Sequence, residues 1–345
     1  MQPDERGRSR FKLDGSNANA EPCAVNHGVL AILFLSMMAH VHAAGWEKLA
    51  PLPEPNGGFI CGAIGDAIVI AGGTNWSDGV KQWLRPIQVF EPAKNEWRQV
   101  GLLPEAVAYA ATGARADGVW FASGSSGTQT HATLGLIGHA FAIKPVASID
   151  VRAVYCASAL LDGRLFVIGG AQDQASLESS GNACFAIDLA SGHAQRIADL
   201  PRPSFFTGAA AACAGRVFVF GGASWDSKSQ AVTNRADASA YSPREDRWEK
   251  IRPLPAPNRG LAAVAIDDER IVIAGGYKND VEEFTDETFV FDVKSGEYQR
   301  AKPLPYRALA GLVKCGEFLY CLGGEDRKQH RTDACFRIHI EELRR

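Results

Sequence analysis

The sequence lacks a long apolar run: the stretch from Gly28 to Ala39 falls short of the roughly 20 apolar residues that cross a bilayer. It also lacks a charge excess. Its 36 Lys and Arg stand against 39 Asp and Glu, a net charge of −3, which offers no footing for nucleic acid or an anionic membrane surface. No C-x-x-C occurs, and His131, His139, His193, His330 and His339 form no short-spaced pair. No Cys or carboxylate joins them at ligand spacing, so neither a metal site nor a cofactor is expected. A G-x-S-x-G nucleophile turn and a Gly-rich phosphate loop opening a helix are missing as well.

What is present begins with a leader. Arg6, Arg8, Arg10 and Lys12 precede the short apolar run, and Val41-His42-Ala43 supplies small residues before Ala44. This is the pattern of a secretory signal over 1–43, leaving 44–345 as a periplasmic or secreted domain without membrane attachment. Seven of the eight Cys lie in that domain, an odd number, so not all pair within one chain. Cys61, Cys156, Cys213 and Cys315 keep phase with a repeat, which reads as buried thiols acting as small hydrophobes, with disulfide pairing left open.

The repeat sets the architecture. A short β-branched or aromatic run ending in a small residue and Gly recurs six times, as in Ile68 to Gly73, Val119 to Gly124, Leu165 to Gly170, Val217 to Gly222, Ile271 to Gly276 and Leu319 to Gly324. The spacing, 46 to 54 residues, is that of a four-stranded blade, so the expected fold is all-β, a six-bladed β-propeller. A small-residue strand precedes each run, as in Gly208 to Ala212, suiting the crowded axis. Aromatic residues seven positions apart, Phe90 and Trp97, Tyr241 and Trp248, Phe291 and Tyr298, are expected to plug one blade onto the next. The chain starts at an outer strand, Trp46 to Leu49, and ends after a third strand, so the N-terminal strand should close the last blade. The charged end from Glu341 to Arg345 is expected to add little to that closure. Over residues 45–340 the pattern resembles Kelch propellers.

One loop departs from its five counterparts. After the Gly pair stand Thr74, Ser125, Ala171, Ala223 and Tyr277, but the last blade carries Glu325, with Arg331 facing it across a hairpin mouth. Residues alone favour a surface ion pair here. Gly324-Glu325, then Arg331-Thr332-Asp333-Ala334 and Phe336, is similar to the active-site loop of the sialic acid mutarotases, the cyclically permuted N-acetylneuraminate epimerases. That resemblance implies a cofactor-free isomerase acting on N-acetylneuraminate or a related acidic sugar, with Glu325 and Arg331 catalytic. It extends to Thr74-Asn75-Trp76, which adds Asn75 as a substrate contact. Arg259 and Arg307, ahead of their inner strands, either reach the channel to hold substrate or pack blades. The next blade lacks an Arg and a Glu of the family pattern, at Val107 to Ala110 and Ser123 to Ser125, which leaves the sugar unspecified. A non-catalytic propeller binding a carbohydrate or a protein is the alternative, and the oligomeric state is open, a homodimer included.

Overall fold

A computed structural model describes residues 45–343. The leader reading over 1–43 lies outside the described residues.

Five sheets of four strands follow one another along the chain, each antiparallel and each built inner to outer in sequence order. The first runs Ile60–Ile64, Ala67–Ala71, Pro86–Glu91, Glu96–Leu102. The next four begin at the inner strands Ala111–Arg115, Ala157–Leu161, Ala209–Cys213 and Ala262–Ala265. In the sixth, Leu309–Cys315, Phe318–Arg327 and Cys335–His339 supply three strands, and Glu47–Lys48 supplies the fourth. Inner strands pack blade to blade around the whole circuit, the first against the sixth. The fold is a six-bladed propeller, as the spacing predicts.

The second strand of each blade explains the unbroken apolar run. Successive side chains point to opposite faces, and in a propeller both faces meet a neighbouring blade. Val69 and Ala71 join the cluster shared with blade 2, whereas Ile68 and Ile70 join the one shared with blade 6. Each of the six blade junctions holds one such cluster. The aromatic plugs form too: Phe90 and Trp97 lie 5.1 Å apart, and Trp97 Nε1 donates to Ala50 O at 3.1 Å. Trp248 donates likewise to Ala198 O, and Tyr298 to Arg252 O. The Gly pairs are fixed by close approach. A Cβ at Gly72, where φ is 62°, would sit 2.1 Å from Val107 O.

The clasp is as expected in its strand and different at its end. Glu47 pairs with Arg337 in register and in charge, at 2.7 Å, and Trp46 Nε1 donates to Pro303 O at 2.7 Å. The C-terminal end is more than a charged tail. Leu343 is 1% exposed in the blade 5–6 cluster, and Glu342 accepts from Gly45 N at 2.7 Å. A single 3-10 turn, Ile340–Leu343, swings that leucine inward.

All seven described cysteines are free. Burial pushes the thiols of Cys61, Cys156, Cys184, Cys321 and Cys335 up to about 12 from 9.0. A thiol kept protonated by the fold ionises first in the unfolded chain. Its contribution is therefore whole below pH 9.0 and is lost as pH rises toward about 12. Denaturation midpoints should fall above about pH 9, less steeply after Cys321→Ala, while native protein stays inert to thiol reagents at about pH 8. A midpoint that stays level up to about pH 11 would contradict this.

Candidate functional site

Four arms rise from one end of the propeller, each extending the turn between second and third strands. Blade 1 carries the hairpin Thr74–Ser77 and Val80–Trp83, and blade 4 carries Ala223–Asp226 and Ala231–Asn234. In blade 3 the strands Arg164–Asp173 and Ser176–Asp188 run on into the arm. In blade 6 the second strand meets the short His330–Arg331, where Glu325 faces Arg331 in register.

The pair closes as the sequence implies, Arg331 Nη1 lying 2.7 Å from Glu325 Oε2, but it is no surface pair. Arg331 is 5% exposed. Its Nη2 donates to Thr74 Oγ1 at 3.3 Å and to Tyr109 Oη at 3.1 Å. Gly57 makes room for it, since a Cβ there would lie 2.6 Å from Arg331 Cδ. Three blades thus converge on one guanidinium. Glu325 Oε1 meanwhile accepts from Gln329 N at 3.3 Å.

Around this centre opens a cavity of about 530 Å³ at the axial mouth, reached by every blade. Lys81 stands over three rings on its rim, 5.9 Å from Trp76, 5.0 Å from Trp83 and 4.7 Å from Tyr109. Period-two alternation puts Thr74, Trp76, Lys81 and Trp83 on one face of the hairpin, paired Thr74 with Trp83 and Trp76 with Lys81. Tyr155 packs against Tyr109 with centroids 4.6 Å apart, and burial pushes its phenol above the ordinary value of 10.0. Four buried polar atoms of residues lining this cavity make no hydrogen bond among the described residues: Trp76 Nε1, Thr207 Oγ1, and Arg331 Nε and Nη1, the last held by its ion pair with Glu325.

A larger open groove of about 610 Å³ lies in blade 2. Three of its polar side chains are engaged within the protein: His131 Nε2 meets Ala106 O at 2.9 Å, Gln129 donates to Glu105, and Arg152 to Thr130 O. Chemistry, not volume, selects the mouth.

No family model matches the chain. Among curated proteins it is 30% identical over 177 residues to Kelch-like protein 35 of Mus musculus, covering 51% of this chain and 28% of that protein. It is 27% identical over 187 residues to Beta-scruin of Limulus polyphemus, covering 52% of this chain and 20% of that one. A Kelch domain-containing protein of Vibrio cholerae is 29% identical over 109 residues, 31% of either chain. The fold is a Kelch-type propeller.

In this Kelch propeller the remaining sequence candidates scatter. Asn75 sits on the hairpin face opposite Trp76 and accepts from the Trp76 amide at 2.7 Å, so it does not line the cavity. Arg259 lies over the Tyr277 ring at 4.4 Å and donates to Asn234 Oδ1 at 2.7 Å, a packing role between blades 4 and 5. Burial lowers its pKa from the ordinary guanidinium value. Arg307 is exposed, away from the cavity lining, with its charge reaching Glu282. Sequence reasoning missed Lys81, Trp76, Tyr109, Tyr155 and Thr207. A signal for three of them exists: ahead of successive inner strands one repeat position reads Gly58, Tyr109, Tyr155, Thr207, Gly260.

Proposed function

We propose that this Kelch propeller is a binding module whose axial mouth holds a small acidic sugar. The observation that carries the reading is a set of donors unmet among the described residues, on side chains that line one cavity: Trp76 Nε1, Arg331 Nε and Thr207 Oγ1, beside a lysine with no ion pair among those residues. Trp and Arg nitrogens only donate, so the complementary ligand is rich in acceptor oxygens. Lys81 supplies the point charge for a carboxylate, and the rings beneath it offer an apolar floor for a sugar face. A volume of about 530 Å³ suits one sugar unit.

Mutarotation of the bound sugar is the second reading, favoured by Glu325 with its side chain 25% exposed on the same lip. As a base it would take the proton of the anomeric hydroxyl while the bond to the ring oxygen breaks and that oxygen gains a proton; the open-chain ketone then turns and the same steps reverse. Against that role, one Glu325 oxygen faces Arg331 and the other takes the Gln329 amide. Arg331 likewise has its Nη groups engaged, so Lys81 replaces it here as the carboxylate partner.

Calorimetric titration with N-acetylneuraminate at low salt tests the binding reading. Wild type should bind, and Lys81→Met should weaken binding by about tenfold or more, the scale of one charge-assisted contact. Equal affinity for the two proteins would sink the reading. Proton NMR of freshly released α-anomer, run on the same samples, tests the second: anomer exchange at the spontaneous rate removes mutarotation and leaves binding intact.

A further inference from the structure

Five successive blades place one residue in the left-handed backbone region just ahead of the inner strand: Gly58 (φ 68°), Tyr109 (56°), Tyr155 (59°), Thr207 (50°) and Gly260 (66°). A string of backbone hydrogen bonds links them around the mouth. Tyr109 N donates to Gly58 O at 2.7 Å, Tyr155 N to Tyr109 O at 3.3 Å, Thr207 N to Tyr155 O at 2.7 Å, and Gly260 N to Thr207 O at 2.6 Å. The bonding needs only the backbone, and glycine adopts this conformation without cost. Two copies use glycine. Three carry side chains in a region that disfavours them, and a β-branched residue such as Thr207 is the most strained of all.

The side chains divide by what they do inside the protein. Tyr109 is fully used, by Arg331, by Thr74 at 3.0 Å and by the ring of Trp83. Thr207 has no such use: it lines the cavity, and its buried hydroxyl has no hydrogen-bond partner among the described residues. The Tyr155 ring packs on Tyr109, and among the described residues no hydrogen bond engages its hydroxyl. Thr207 therefore carries both backbone strain and a polar group unpaired among the described residues. Strained residues of this kind gather at ligand sites.

Blade 4, with Thr207, stands across the axis from blade 1, with Lys81, whereas the Tyr155 ring reaches from blade 3 to Tyr109, the ring beneath Lys81. We propose that Tyr155 and Thr207 are specificity residues that read ligand hydroxyls. The ligand class is then a carboxylated polyol with one hydroxyl beside its acid group, toward Tyr155, and another across the axis, toward Thr207. This rests on the acid-binding reading of Lys81 given above.

The test compares two probes, N-acetylneuraminate and cyclohexanecarboxylate, which share a carboxylate on a six-membered ring but not the hydroxyls. Wild type should prefer N-acetylneuraminate by tenfold or more. Thr207→Ala, Thr207→Gly and Tyr155→Phe should each weaken N-acetylneuraminate by about fivefold to tenfold, the worth of one hydrogen bond, and leave cyclohexanecarboxylate unchanged. Thr207→Gly should also melt about 2 °C above Thr207→Ala, because only glycine relieves the left-handed backbone. Unchanged N-acetylneuraminate affinity in the three variants, with Lys81→Met still weakened, overturns this inference and spares the binding reading. Failure of wild type to bind either acid overturns both. If Thr207→Gly melts no higher than Thr207→Ala, the strain on which the inference stands is absent.

Discussion

Deleting residues 45–50 should lower the melting temperature by about 10 °C, the largest effect expected of any small truncation. The segment contributes Trp46, whose indole reaches Pro303 O, and Leu49, 4% exposed in the blade 6–1 cluster. It also contributes the Glu47–Arg337 pair and the outer strand itself. Full burial of one large apolar side chain is worth about 1.5–3 kcal/mol, so buried Leu49, half-buried Trp46 and their strand bonds come to roughly 4–6 kcal/mol. Removing 341–345 should cost about half as much, because it takes one buried anchor, Leu343, and no sheet strand. Thermal scans settle it: a 45–50 deletion that melts no lower than the tail deletion would show that the strand does not close the ring.

Glu325→Gln should destabilise the fold by about 2–3 kcal/mol, and more than Arg331→Met does. The asymmetry follows from unequal burial. Arg331 has a side chain 4% exposed, whereas that of Glu325 is 25% exposed. Taking the carboxylate away leaves a guanidinium cut off from water with neutral partners only, Thr74 and Tyr109. Taking the guanidinium away leaves a carboxylate that water can reach, so solvent offsets much of the loss. Urea midpoints of the two single variants and the double variant would measure both the order and the coupling. A Glu325→Gln midpoint equal to wild type would mean that the pair is not what holds Arg331 in place.

The fold was legible because a propeller writes each blade twice over, once as a doubly buried second strand and once as a Gly pair. Ile68-Val69-Ile70 cannot alternate with polar residues when both of its faces meet other blades. Glu325 and Arg331 were legible as neighbours because a hairpin brings them together locally. The burial of Arg331 was not, since it depends on Gly57 and Thr74 at the far end of the chain. Asn75 failed for a simple reason: one step along a strand reverses the face. Tyr155 and Thr207 stayed hidden because their position reads as a turn, and only backbone dihedrals reveal that glycine would serve there.

The sixth blade draws its outer strand from the start of the chain and its other three from the end. A ribosome therefore releases Gly57, Thr74 and Tyr109 long before the arginine they surround has been synthesised. The mouth of the channel is the last part of the molecule to come into being. A nascent chain that stops before residue 331 lacks the guanidinium that Thr74 and Tyr109 surround.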